Sequence, residues 1–282
     1  MRILITGANG QLGKELTREA KQVSEVTALG KEMLDITNVS EVKETVNNIK
    51  PDIIVHSAAY TAVDNCEYEK KKAFEVNSLG TFNVAKAADH VGASIVYLSS
   101  DYIFSGEKTT PYIERDEPNP KNIYGMSKWL GEQLIQSSTS KFHIVRTSWL
   151  FGSGGENFVK TILKLAKQNK EIKVVNDQVG SPTYTKDLAG VIMQLIYKKF
   201  GIYHVSNMGC CTWYMFAKHI LKQAGYDPGL IQPTTTQEFG ARATRPAYSA
   251  LGHESLQREG IPDPRGWQEA VNEFIREELN RD

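Results

Sequence analysis

The chain has 282 residues, and 33 Lys+Arg balance 33 Asp+Glu. That length predicts one large domain or two small ones, with a core that needs no disulfide or metal staple. A net charge of zero gives no general attraction to nucleic acid or to a membrane surface, and 40% hydrophobic with 23% charged residues is an ordinary soluble composition.

The first half alternates apolar runs with stretches of helical period. Arg2–Thr6 reads as a buried strand and 12–22 as the helix after it. Residues 25–29 form a second strand, 39–49 an amphipathic helix, and 53–56 a third strand opened by Pro51. Residues 74–90 predict one long helix with Val76, Leu79, Val84 and Ala88 inward. Residues 93–99 predict a strand, 122–137 a helix and 142–147 another strand. Strand–helix alternation of this kind predicts an α/β, Rossmann-like, doubly wound parallel sheet covered on both faces.

After residue 150 the alternation weakens. Helices are expected at 158–167, 186–198, 213–224 and 267–279, with long loops between Gly225 and Pro264. We therefore expect a nucleotide-binding domain over 1–150. A smaller, mainly substrate-binding domain over 151–282 would form a cleft with it and return elements to it.

Cys66, Cys210 and Cys211 form no closed disulfide set, and no Cys/His spacing suits zinc. Reduced thiols point to the cytoplasm. No apolar run approaches the ~18 residues of a membrane span. Met1–Ile5 is too short for a signal-peptide core. Cys210-Cys211 reads as a small apolar pair under a turn, and His56 as a packed or hydrogen-bonded histidine.

Gly7-Ala8-Asn9-Gly10-Gln11-Leu12-Gly13 lies between the first strand and the first helix. Gly7 suits a tight turn, Gly10 a close backbone approach to a pyrophosphate, and Gly13 close strand–helix packing. The free N–H groups of the helix start then face the phosphate. The spacing is G-x-x-G-x-x-G, and a strand–helix turn without a ligand would share it. An acid at the end of the second strand commonly binds the adenosine ribose. Here Leu29 is followed by Gly30 and Lys31, so the reading is NADPH over NADH, with Lys31 near the 2′-phosphate or else a solvated loop lysine.

Tyr124 and Lys128 stand one helical turn apart. An ammonium favours a phenolate and so lowers a tyrosine pKa, which suits proton transfer at a carbonyl or alcohol. Three Tyr/Lys pairs have this spacing among 12 tyrosines: Tyr68/Lys72, Tyr124/Lys128 and Tyr214/Lys218. About one match is expected by chance. Tyr68/Lys72 sits in a charged, solvated stretch and Tyr214 in a core-like one. Only Tyr124/Lys128 follows a strand ending in hydroxyls, Ser99-Ser100, and ligands of open α/β sheets sit at strand carboxyl ends. The competing reading of Lys128 is a salt bridge to Glu132.

Together these residues resemble the extended short-chain dehydrogenase/reductase family. Thr61-Ala62-Val63-Asp64, Ser100-Asp101-Tyr102-Ile103-Phe104, Arg146-Thr147-Ser148-Trp149, 176–183 and Arg245-Pro246 extend the likeness to its dTDP-4-dehydrorhamnose reductase group. The resemblance implies an NADP-dependent oxidoreductase with Tyr124 as proton donor, Lys128 on the nicotinamide ribose and Ser100 on the sugar oxygen. It places Gly7, Asn9, Gly10, Gln11, Leu12, Lys31, Asp35, Ile36, Ala58, Ala59, Tyr60, Thr61 and Asn77 around the cofactor. Val63, Ser100, Asp101, Trp149 and Arg245 would hold the nucleotide-sugar.

Arg242 offers a second cation for the diphosphate, or is a surface arginine. Trp149 stacks on a sugar or base, or is core. Metal-bridged homodimers occur in the group, and Glu15 matches one glutamate position. Lys186 stands where a second would be expected, which argues against Mg²⁺. The competing functions are a dehydratase or epimerase of the same family and a non-catalytic NADP-binding regulator. Tyr102 stands where a dehydratase has its elimination acid, and the intact Tyr–Lys pair counts against a regulator.

Overall fold

Six short apolar runs pair side by side, all parallel. β1 (Arg2–Thr6), β2 (Glu25–Leu29), β3 (Ile53–His56), β4 (Ser94–Ser100), β5 (Phe142–Thr147) and β6 (Gly201–His204) form one sheet in the order β6-β5-β4-β3-β1-β2. The computed structural model describes residues 1–280. β1 and β3 bury nearly every residue, as strands with helices on both faces must.

One face is covered by α1 (Gln11–Ala20), with Leu12, Leu16 and Ala20 packed on Ile3, Ile5 and Val55. The other carries α2 (Val39–Ile49), α3 (Thr81–Val91) and α4 (Ile123–Ser138), through Val42, Val46, Val84, Ala88 and Ile135. α5 (Phe158–Ala166), α7 (Trp213–Gln223) and α8 (Trp267–Leu279) build a separate apolar cluster around Phe151, Phe216 and Phe274. Between α5 and α7, α6 (Thr185–Leu195) packs back against α1. The strand order reverses beside β1, between β3 and β2, so the carboxyl ends of β1 and β4 open on one crevice.

Three expectations are corrected. The helix expected over 74–90 is interrupted by a π turn at Glu75–Gly80. The wider turn rotates Leu79 outward, where it is 53% exposed, while Val84 and Ala88 stay buried. Cys211 is buried but Cys210 is exposed, because the two are neighbours in an extended segment and face opposite ways. The segment from Gly225 to Pro264 holds a strand, Ile231–Thr234, parallel to Ile172–Val175, and a capping box at Thr235/Glu238. Pro233 hid that strand from a periodicity reading. It is tolerated there because the ladder has only two strands and leaves one edge free. Among the described residues no helix is long and apolar enough to cross a membrane.

Two helical glycines make opposite predictions. A Cβ on Gly13 would lie 2.3 Å from the Gly7 carbonyl oxygen and 2.7 Å from Ala8 Cα, both backbone. Gly13→Ala is expected to destabilise the protein by about 1–3 kcal/mol in urea unfolding. Gly190, inside α6, meets nothing within 4 Å. Gly190→Ala is expected to stabilise by about 0.5–1 kcal/mol, since alanine has less backbone freedom to lose. Equal effects of the two substitutions would refute the close strand–helix contact at Gly13.

Candidate active site

The crevice is a cleft of about 630 Å³ that runs from Gly7 past Lys31 to Ser100, Tyr124 and Trp149. Its floor is the phosphate turn. Gly7 has φ +68°, and a Cβ there would lie 2.6 Å from the Ala58 nitrogen, so the chain crosses β3's end in direct backbone contact. Gly10 caps α1 without any side-chain cap, which leaves the first-turn N–H groups of Gln11, Leu12 and Gly13 directed at the cleft. Unpaired N–H groups at a helix start can accept a phosphate.

Asn9, Lys31, Asp35 and Ile36 line one end, as expected. Glu32 lines it too, and its Oε2 accepts a hydrogen bond from Asn9 Nδ2 at 3.3 Å. Sequence reading missed Glu32 because it lies beyond the strand end where an acid is looked for. Asp35 Oδ1 accepts from the Thr37 backbone N–H (2.9 Å) and hydroxyl (2.8 Å), and these bonds hold its carboxyl below the usual range. Ala58, Ala59, Tyr60 and Thr61 form the opposite wall. Asn77 is fully buried behind that wall rather than in it. It clamps Tyr60 through Tyr60 N–H to Oδ1 (2.7 Å) and Nδ2 to Tyr60 O (3.0 Å).

α4 brings Tyr124 and Lys128 to the carboxyl end of β4. Its cap residue Asn122 accepts from the Gly125 N–H at 2.7 Å and donates to Thr244 O at 2.8 Å. Gly125 lets the helix start lie on the turn after β4, since a Cβ there would be 2.1 Å from Tyr102 O. Tyr124, Lys128, Ser100 and Asp101 share one cleft. Lys128 is only 2% exposed and has no carboxylate within ion-pair distance among the described residues. The alternative partner, Glu132, is taken by Arg146 through two bonds of 3.1 and 2.8 Å, with both side chains buried.

The expected lowering of Tyr124 by Lys128 is not what the surroundings produce. Burial dominates and pushes the phenol up. Asp101 and Tyr102 push the same way, and only the Ser100 hydroxyl opposes them. Burial likewise brings Lys128 down to about 7, against a smaller upward pull from Glu132. Both shifts are tertiary desolvation effects that spacing cannot reveal. Of the rival pairs, Tyr68 is exposed and Lys72 pairs with Glu69, while Lys218 and Tyr214 touch one another at 3.4 Å, away from the cleft. His56 is a packed, hydrogen-bonded histidine, bonded to Thr6 and Thr81 and held neutral by burial, with its pKa near 3.

On the far wall Trp149 takes a positive φ of 47°. Its indole stacks on Trp213 at 3.5 Å and lies over Gly180, where a Cβ would be 2.4 Å from the ring. A non-glycine residue in that conformation is held by its surroundings, and here it sets Trp149 in the lining of the cleft. Trp213 was not singled out in sequence because it lies 64 positions away on α7. Val63 and Arg245 do not line the cleft. Arg245 is committed to Asp64 through bonds of 3.0 and 2.7 Å, and Arg242 lies over the Tyr68 ring at 5.1 Å. Lys186 Nζ contacts Glu273 (2.5 Å) and Glu277 (3.1 Å), while Glu15 pairs with Arg18 at 2.8 Å. An ammonium among these carboxylates repels a divalent cation, so the donor set does not fit Mg²⁺.

Asp101 is 1% exposed. Its Oδ1 accepts from Ser100 Oγ at 3.1 Å, and its Oδ2 has no partner among the described residues. Burial pushes its pKa up to about 6 from an ordinary 3.8. A folded-state pKa above the unfolded one costs nothing below the unfolded value. The cost grows as pH rises through that window and is full above about 6. Asp101→Asn is therefore expected to raise stability at pH 8 by about 2–3 kcal/mol and to change it little at pH 3.5. Thermal unfolding of both proteins at the two pH values checks this; an equal gain at both would remove the buried carboxylate as its cause.

Comparison with known proteins agrees with this geometry. Residues 1–280 match the family described as RmlD substrate binding domain. The spore coat polysaccharide biosynthesis protein SpsK of Bacillus subtilis (strain 168) is 48% identical, over 98% of this chain and 97% of that protein. A dTDP-4-dehydrorhamnose reductase of Aggregatibacter actinomycetemcomitans is 40% identical, over 96% and 97%. The crystal structure of dTDP-4-dehydrorhamnose reductase from Bacillus anthracis str. Ames in complex with NADP superposes with a TM-score of 0.96 at 47% identity, covering 98% of this chain and 99% of that one. A nucleotide cradle, a tyrosine–lysine pair at the sheet's carboxyl edge and full-length likeness converge, and the chain belongs to the RmlD substrate binding domain family.

Proposed function

We propose that this protein reduces the 4-keto group of dTDP-4-dehydro-L-rhamnose to dTDP-L-rhamnose with NADPH, supplying cell-surface polysaccharide synthesis. The observation that carries this reading is the meeting of Tyr124, Lys128 and Ser100 in the same cleft as the Gly7–Gly13 cradle. The reductases among its relatives and the NADP-bound relative support it.

The bound nicotinamide supplies a hydride to the carbonyl carbon. Tyr124 supplies the proton. Reduction needs the phenol in its protonated form, and the upward push of burial keeps it so. Ser100 donates to Asp101 in this structure. A hydroxyl proton rotates freely, so the same donor turns to the developing alkoxide. Lys128, as an ammonium, holds the ribose hydroxyls. Trp149 stacks on the sugar or base, and Asp101 keeps Ser100 in place. The two-part division follows, with 1–150 for the cofactor and 151–282 mainly for the sugar. Lys31 favours the 2′-phosphate of NADPH. A cytoplasmic enzyme, working as a homodimer, fits a product made for export as glycan.

Tyr102 follows Asp101 directly, so the carboxylate that completes the Thr-Asp-Glu cluster of a dehydratase is absent. A self-recycling epimerase is separated by stoichiometry. Incubation with dTDP-4-dehydro-L-rhamnose should oxidise one NADPH per sugar reduced, whereas an epimerase consumes none. Tyr124→Phe is expected to lower kcat about 10²–10⁴-fold with little change in NADPH binding. Full turnover by that variant, or no oxidation of NADPH or NADH by any keto-sugar, defeats the proposal. Lys31→Ala should weaken NADPH more than NADH; a KM ratio unchanged from the parent removes Lys31 from cofactor choice.

A further inference from the structure

We infer that Tyr97 is a positioning residue: its ring is the seat on which the Lys128 ammonium rests, and it acts on the reaction through that lysine. The catalytic part of this statement rests on the function proposed above, and the seat itself does not.

Tyr97 lies on β4, three residues before Ser100, and is fully buried. Lys128 Nζ sits 4.2 Å from the centre of its ring. An ammonium stripped of water needs a compensating negative partner. The groups that face it are few. On its own helix, Tyr124 is a neutral phenol and Glu132 is spent on Arg146 from β5. On β3, His56 stacks on the Tyr97 ring with centroids 5.8 Å apart and planes 20° apart, and it is neutral. Beside Tyr124, Asp101 bonds Ser100. The negative face of the Tyr97 ring is what remains under the amine.

The ring is fixed at its far end. Its hydroxyl donates to Asn77 O and Lys128 O, each at 3.3 Å, joining the π turn and α4 at one atom. The hydroxyl reaches them only because residue 131 is glycine. A Cβ there would lie 2.5 Å from Tyr97 Oη and 2.6 Å from Asn77 O. The choice of an aromatic partner has a chemical consequence. A carboxylate would bind the ammonium through its N–H groups and draw them away from the cleft. A ring face attracts the charge as a whole and leaves donors free for a ribose hydroxyl and the Tyr124 oxygen.

The test compares the full-length parent with variants at residue 97. Tyr97→Phe keeps the ring, Tyr97→Leu removes it, and trifluorophenylalanine at position 97 keeps the shape while draining the ring face of negative charge. Lysine labelled with ¹³C at Cε is titrated by NMR, with Lys128→Met assigning the Lys128 signal. The pH dependence of kcat with NADPH and the keto-sugar is recorded alongside. Removing the ring's negative face destabilises the charged form, so the proton leaves at lower pH. In the Leu and fluorinated variants the Lys128 titration should fall by about one pH unit, tenfold in proton affinity. The alkaline limb of kcat should fall with it, while Phe holds the parent's titration and limb.

The seat is overturned if the fluorinated variant titrates as the parent does, or if Phe shifts as far as Leu. Should Leu fail to fold, the fluorinated variant decides alone, since it preserves the packing. The NMR arm requires no turnover. A shifted titration in a protein that oxidises no NADPH would sustain the seat and remove the proposed reaction. Turnover with an unshifted titration would do the reverse.

Discussion

Helix α4 has to lie close enough to the sheet to deliver two side chains to the end of β4, and that approach is a steric constraint before it is a chemical one. Gly125 admits the backbone of the turn after β4, and Gly131 admits the Tyr97 hydroxyl. A methyl at either point would meet an oxygen at 2.1–2.5 Å and lift the helix. Glycine inside a helix costs about 1 kcal/mol relative to alanine, so two of them in one helix weaken it locally. The loss is offset by the burial that α4 gains against β4 and by the Asn122 cap at its start.

Close approach also sets the electrostatics. Lys128, Glu132 and Arg146 are carried into a region with little water. Glu132 and Arg146 satisfy one another there, and a buried pair of this kind does little for stability yet is expensive to break. It also removes the carboxylate that would otherwise clamp the lysine. The amine is left easily deprotonated and the phenol hard to ionise. An acid that must donate a proton is served by that bias, because the phenol stays protonated until charge develops on the acceptor oxygen.

Much of this was legible in the sequence, and the rest was hidden for definite reasons. The phosphate turn and the Tyr124/Lys128 pair are local, so spacing reveals them, and the β5 and α8 boundaries follow from uninterrupted periodicity. The π turn at Glu75–Gly80 was not legible, because i→i+5 bonding leaves no hydrophobic signature and only displaces the faces after it. Arg245 was expected on substrate, yet its partner Asp64 is 181 residues away, a pairing no local pattern encodes. The direction of the Tyr124 shift was read wrongly from sequence because spacing reports a neighbouring charge and says nothing about desolvation. Tyr97 read as one more apolar strand residue, since a ring face used as an ionic partner looks like core.

The phosphate turn is not supported by the first half alone. Asn157 Nδ2 donates to Gln11 Oε1 at 3.1 Å, and Gln11 Nε2 donates to Glu156 O at 3.1 Å. Gly154 approaches so closely that a Cβ would sit 2.8 Å from Gln11 Cα. Ser153 donates to Glu15 at 3.2 Å. The turn at 152–157 is thus pinned to the first helical turns, whose N–H groups form the cradle, while its other end leads through the Asn157 cap into α5 and the apolar cluster behind Trp149. α6 packs on α1 from the same side and β6 extends the sheet. Because the wall that carries Trp149 and the floor that carries the cradle share these bonds, displacement of one moves the other. The distance between the two ends of a ligand lying across the cleft is therefore set by side chains of Gln11 and Asn157 as much as by the sheet.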